Sequence, residues 1–224
     1  MYSAQSPSKR LFKLFGFPVE AELNSLFMVV IVMMFYGKGG PDQIVFAALL
    51  CVAIFLSIVA HELGHALMTR RLGYGGSTIR LTLAGGVAIS RGRRSARDSI
   101  KISLAGPAVT ALIAVVGIVV SVVAPSTPRA SIVGQLLFYT TALNVMWAVF
   151  NMLPIYPMDG GQALRAWLST KLPARETLKR SLIVSGAIAA LLIVAAIAWQ
   201  QYLLLLIVGW MALKNWQEWT RNFA

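Results

Sequence analysis

The chain has 224 residues, 58% hydrophobic and 12% charged, with a mean hydropathy of +0.72 and a formal net charge of +12. A soluble domain carries roughly twice that share of charge, which excludes a globule on a single anchor and favours several membrane spans. The positive balance does not indicate nucleic acid, because the basic residues cluster between apolar runs, where membrane topology puts them, and the lone Cys51 excludes an internal disulfide.

Residues 1–20 are polar and then amphipathic: Leu11, Phe12, Leu14, Phe15 and Phe17 are interleaved with Lys9, Arg10 and Lys13. That composition suits a segment lying on the membrane surface. No small-residue cleavage pattern follows, so no signal peptide is expected. Residues 23–36 are the first candidate span, and residues 37–42 form a turn by composition. The second span opens at Ile44 and is apolar to Ala60 apart from Ser57. It leads into His61-Glu62-Leu63-Gly64-His65 and then Arg70-Arg71. Positions i and i+4 share a helix face, so both imidazoles can reach one metal ion. Glu62 beside them is placed to take a proton from water at that metal rather than to bind it. These are the only two histidines, so a zinc site with histidine ligands must use them. The alternative is a pair of membrane histidines making helix–helix hydrogen bonds, and the cost of ionisable groups at membrane depth weighs against it.

Residues 78–90 alternate with period two around Ala84-Gly85-Gly86 and read as a β-hairpin. Irregular backbone beside a span is tolerated where protein buries it or where it lines a wet cavity; an ordinary cytoplasmic hairpin is the other reading. Arg91, Arg93, Arg94 and Arg97 follow as a basic run near lipid headgroups. Residues 102–124 are the third span, with Ala105-Gly106-Pro107 allowing close helix packing. Residues 125–128 form a tight loop. Residues 132–153 are the fourth span, striped with Thr140, Thr141, Asn144 and Asn151. The stripe either makes interhelical hydrogen bonds or lines an active site. Pro154 and Pro157 break that helix before Asp159-Gly160-Gly161. An amphipathic helix over 162–172, a fifth span over 182–198 and a short sixth over 202–213 complete the chain. The expected organisation is a surface segment (1–20), a six-span core (21–216) and a tail (217–224), with no appended soluble domain.

With six spans and a cytoplasmic N-terminus, Lys38 and Arg129 face outward and the other eighteen of the twenty basic residues lie on the cytoplasmic side, as the positive-inside bias requires. His61, His65 and Asp159 then all come near cytoplasmic helix ends. A catalytic zinc takes three protein ligands and keeps one open position. Glu20, Glu22, Asp42 and Glu218 sit at chain ends or in an outer loop, while Asp98 and Glu176 lie among arginines and lysines. Asp159 alone follows a proline-broken span to the required depth. It is either the third ligand or a helix N-cap paired with Gln162 in a capping box.

His61-Glu-Leu-Gly-His65 with Asn151-Met-Leu-Pro154-Ile-Tyr-Pro157-Met-Asp159-Gly-Gly161 two spans later resembles the site-2 protease family of intramembrane zinc metalloproteases. Ala105-Gly106-Pro107, the Gly85-Gly86 loop and the opening residues 9–18 are similar too. The resemblance implies an all-α polytopic membrane fold of six transmembrane helices, with a small re-entrant β-element between spans 2 and 3. It implies one Zn2+ held by His61, His65 and Asp159, Glu62 as catalytic acid/base and Asn151 steadying the scissile carbonyl. Gly85 and Gly86, with Asn144, are the candidate substrate-binding residues. The expected partners are a transmembrane protein or peptide substrate and the lipid bilayer, with a homodimer also open. The expected location is the cell membrane, multi-pass, with the active site toward the cytoplasm. Thr110 and Gln162 stand where the family often carries Asn and Arg, which bears on substrate fit rather than on the metal shell. The rival readings are a zinc transporter, which would need further ligands along a pathway, and a non-catalytic scaffold, which leaves Glu62 unexplained.

Overall fold

The computed structural model describes residues 8–82, 85–89, 94–124, 128 and 131–223, and these are mostly helical with one small sheet. In chain order they form β1 (Ser8–Leu14), β2 (Phe17–Glu22), a 3-10 turn (Leu23–Ser25), α1 (Leu26–Tyr36), α2 (Pro41–Arg71), β3 (Thr78–Thr82) and β4 (Gly85–Ile89). Then follow α3 (Ala96–Val123), α4 (Ile132–Met152), α5 (Asp159–Leu168), α6 (Ala174–Ala198) and α7 (Tyr202–Phe223). They fall into two compact units, one made of the chain up to Gly92 with Ala108–Ala148, the other of Arg93–Pro107 with Val149–Ala224.

The first unit is organised around α2. Gly40 at its N-cap has φ +103°, Pro41 opens the helix and Asp42 stands in the first turn, the order that suits an N-terminus with its positive dipole end. At 31 residues the helix rises about 46 Å, well beyond a hydrocarbon core of about 30 Å. Its far end closes in a Schellman motif. Gly73, at φ +81°, donates to Arg70 O at 3.0 Å and Tyr74 N–H reaches Thr69 O at 3.1 Å, so a glycine in the left-handed region satisfies the last carbonyls.

The surface segment expected over residues 1–20 is, where described, a β-hairpin, and the fold is therefore not all-α. Leu14 pairs with Phe17 across a two-residue connection, Phe15-Gly16, with φ +48° and +87°. Two successive positive φ values give the turn whose twist matches paired strands. The sheet runs β1-β2-β3-β4, antiparallel except for the parallel β2/β3 pair. Phe17, Val19, Ile79 and Leu81 are buried on one face and form a core with Val59 and Ala66 of α2. Glu20, the register partner of Arg80 on β3, takes its ion pair at 3.3 Å and accepts a hydrogen bond from Ser8 Oγ at 2.8 Å. The expected hairpin over 78–90 is present as β3 and β4; its connection, residues 83–84, and the Arg91 and Arg93 of the basic run lie outside the described residues.

A second core joins Val32 of α1 with Phe46, Ala47 and Leu50 of α2, flanked by Tyr36 and Tyr139. Further along, α3 and α4 approach so closely that a Cβ on Gly117 would clash with Thr141. In the second unit α5 and α6 are neighbours, as are α6 and α7. Asn215 Nδ2 donates to Leu182 O at 3.0 Å. Glu218, buried in α7, pairs with Arg165 of α5 and with Arg221.

Four helices among the described residues, α2, α3, α4 and α6, are long and apolar enough to cross a membrane. The sequence reading gave six. The 11 residues of α1 rise about 16 Å, too short alone, and the second half of α7 carries Lys214, Gln217, Glu218 and Arg221. Helices α3 and α6 also begin before their apolar runs, because polar first turns continue the helix where hydropathy no longer marks it.

Candidate metal centre

His61, Glu62 and His65 lie in the C-terminal third of α2 and are buried, at 3%, 4% and 7% exposure. The helix sets their separation, and the two Nε2 atoms come to 3.2 Å from each other. Two nitrogens bound tetrahedrally at about 2.0–2.1 Å to one zinc would stand about 3.3 Å apart. The rings are therefore already turned toward a shared point, and two imidazoles with a carboxylate are a donor set that suits Zn2+. Glu62 Oε1 is 4.0 Å from His61 Nε2, too far for a direct hydrogen bond and near enough to reach a small molecule between them.

Packing in the same unit braces this stretch of α2. Trp147 of α4 meets the His61 ring edge-on at a centroid distance of 6.5 Å. Thr69 Oγ1 donates to His65 O at 2.7 Å. Ser57 stands one turn ahead of His61, and Asn144 Nδ2 donates to its Oγ at 3.0 Å and to Thr140 O at 2.9 Å. Asn144 is 1% exposed. That is the interhelical bond which the sequence reading set beside substrate contact. Ser57 carried a legible signal, as the one polar residue in the apolar run before the motif. Trp147 carried none.

Asp159 is the first residue of α5, whose N-cap is Met158 in extended conformation with no side-chain capping bond. Gln162 Nε2 turns back to Pro157 O at 3.3 Å instead. The capping-box alternative is therefore absent. Among the described residues, His61, His65 and Asp159 are the one set of donors that could hold a metal ion. Asn151 is half-buried in the last turn of α4. Gly85 and Gly86 open β4, one of the two outer strands, opposite Thr82 and Leu81, and β4 lies against α2.

The two glycines after Asp159 are there for space. A Cβ on Gly160 would meet Met152 O, and stand 2.5 Å from Leu153 O; one on Gly161 would stand 2.6 Å from the Ile155 carbonyl. Each contact is with backbone, which cannot rotate away. Overpacking of this kind costs about 1–3 kcal/mol, sometimes more. Gly160→Ala and Gly161→Ala are each expected to lower the melting temperature of the metal-free protein; a melt unchanged in both would show that α5 has room to shift.

Comparison with known proteins adds a family signal to this geometry. Residues 49–195 match the family model described as Peptidase family M50. A zinc metalloprotease of Methanocaldococcus jannaschii is 31% identical over 201 residues, which is 89% of this chain and 57% of that protein. A Mycobacterium tuberculosis protein named as a candidate zinc metalloprotease is 35% identical over 120 residues, 52% of this chain and 30% of that one. The chain thus spans little more than half of the first relative's length, and less of the second. The solved structure of a site-2 protease from Methanocaldococcus jannaschii superposes with TM-score 0.67 at 29% identity, covering 95% of each chain.

Proposed function

Because this chain belongs to peptidase family M50, the site-2 protease family, we propose that it is an intramembrane zinc endopeptidase that cuts peptide bonds within or near transmembrane segments of other proteins. The observation that carries this reading is the 3.2 Å approach of the two histidine Nε2 atoms with Glu62 alongside. His61, His65 and Asp159 would hold the zinc. Bound there, zinc supplies a Lewis acid that polarises a carbonyl and lowers the pKa of water to about 7. Glu62 takes the proton of the attacking water and hands it to the leaving amine. Asn151 donates from its side-chain amide as charge builds on the carbonyl oxygen.

A transmembrane helix shields its peptide bonds with its own hydrogen bonds, so the substrate must be extended before it is cut. Gly85 and Gly86, on an outer strand, suit pairing with such a segment. Asn144 serves by holding α2 at Ser57. Six membrane segments remain our reading: the exposed Leu26, Phe27, Val30 and Phe35 of α1 and Leu203, Leu206 and Trp210 of α7 need lipid or protein cover. The basic-residue bias supports a cytoplasmic N-terminus and active site.

Purified protein in detergent is expected to cleave a single-span substrate, to lose that activity on chelation and to regain it with zinc. Cleavage that survives exhaustive chelation would overturn the metal-dependent reading.

A further inference from the structure

Residues 153–158 link Asn151 to Asp159 without regular structure, and a census of their backbone donors isolates one contact. Leu153 N–H donates to Phe150 O at 3.2 Å, Ile155 N–H to Leu153 O at 2.8 Å and Met158 N–H to Ile155 O at 2.8 Å. Pro154 and Pro157 have no N–H. The donor left over, Tyr156 N–H, goes to Ser185 Oγ at 2.8 Å. Ser185 belongs to α6 and is 1% exposed. Gln162 also reaches the link, but from α5 itself, so it stiffens the joint without tying it to another helix.

The same spot is gripped by backbone packing. Gly161 of α5 sits so close to Ile155 and Tyr156 that no Cβ fits between them. The link is therefore held between α5 and one serine hydroxyl. A buried N–H at membrane depth must find a partner, and without that hydroxyl the link has to turn to find another. Any such turn is passed on to Asp159, three residues further along.

We propose that Ser185 is a positioning residue for the metal centre: by accepting the Tyr156 N–H it sets the path of the link and hence the reach of the Asp159 carboxylate. The proposal rests on the reading of Asp159 as a zinc ligand. Partners that orient a ligand from outside the metal shell typically change affinity by about 10- to 100-fold, and Ser185→Ala is expected to weaken zinc binding by that amount. Ser181→Ala is the control. Ser181 is buried one turn earlier on the same helix, and its hydroxyl serves Leu178 O.

The test is a competition titration of the full chain in micelles against a chromophoric zinc chelator, with the melting temperature of the metal-free protein measured in parallel. Affinity lowered in Ser185→Ala and unchanged in Ser181→Ala supports the proposal. Affinity within twofold of wild type in Ser185→Ala, or an equal loss in both, overturns it, whatever the melting temperatures do. Ser185→Cys keeps a weak acceptor and is expected to fall between wild type and Ser185→Ala; it decides the matter if the alanine variant is recovered only as aggregate, affinity equal to wild type counting against the proposal. Unchanged affinity in Asp159→Asn would instead remove the ligand reading on which the proposal stands.

Discussion

Glu62→Gln is expected to abolish peptide cleavage, by about 10²- to 10⁴-fold, while the protein keeps its zinc. Glutamine fills the same space in a site where the native side chain is 4% exposed, so the packing of α2 should survive. It cannot accept a proton. Glu62 Oε1 stands 4.0 Å from His61 Nε2, outside direct hydrogen-bond range, which fits a group that serves a water rather than one that anchors the imidazole. Zinc content per chain and single-turnover cleavage, measured on the same preparation, check the two halves of the statement. Cleavage at the wild-type rate would remove Glu62 from the chemistry. Loss of zinc along with cleavage would make it a ligand.

Asp159→Asn is expected to reduce zinc affinity by more than about 100-fold, since changes one shell further out already cost 10- to 100-fold. Asp159 is the one anionic donor in the set, so an amide in its place leaves a divalent cation with neutral ligands only. The competing role for a carboxylate in a first helical turn is to complement the helix dipole, worth about 0.3–1 kcal/mol. The two roles separate cleanly. A ligand changes metal affinity and leaves the metal-free melt nearly alone; a dipole partner lowers the melt and leaves affinity alone. The second pattern would return Asp159 to a structural role.

The centre was legible because the chain offers so few alternatives. With two histidines in all, helical spacing sufficed to pair them, and elimination among eight acids reached Asp159. The capping alternative could not be decided from spacing, because Asp159 and Gln162 have the right separation; backbone geometry decided it by putting Met158 at the cap. Burial of Glu218 was missed because its place near the chain end suggested exposure, whereas Arg165 and Arg221 hold it in the interior. The N-terminal strands were missed for a different reason. Basic and aromatic residues alternate there in a way that a membrane surface also accepts, and the partner that makes β2 a strand, β3, begins 56 residues after β2 ends (78 against 22). Ser185 had no signal at all: its partner is a backbone N–H 29 residues away, and no side-chain pattern encodes that.

The span count shows the same limit. Hydropathy marks apolar runs and not helix ends, so α3 and α6 extend past the expected starts. The short α1 has the composition of a span without its length. Its exposed apolar side chains and those of α7 account for the six segments in the proposed topology.

The claim at the centre is that one zinc is held by His61, His65 and Asp159, and zinc-edge X-ray absorption on the purified, zinc-loaded protein addresses it without any assay of activity. The expected spectrum has two imidazole nitrogens and oxygen ligands at about 2.0–2.2 Å, with one imidazole lost in His61→Ala or His65→Ala. Sulfur scattering at about 2.3 Å, or a spectrum unchanged by either histidine substitution, would contradict it.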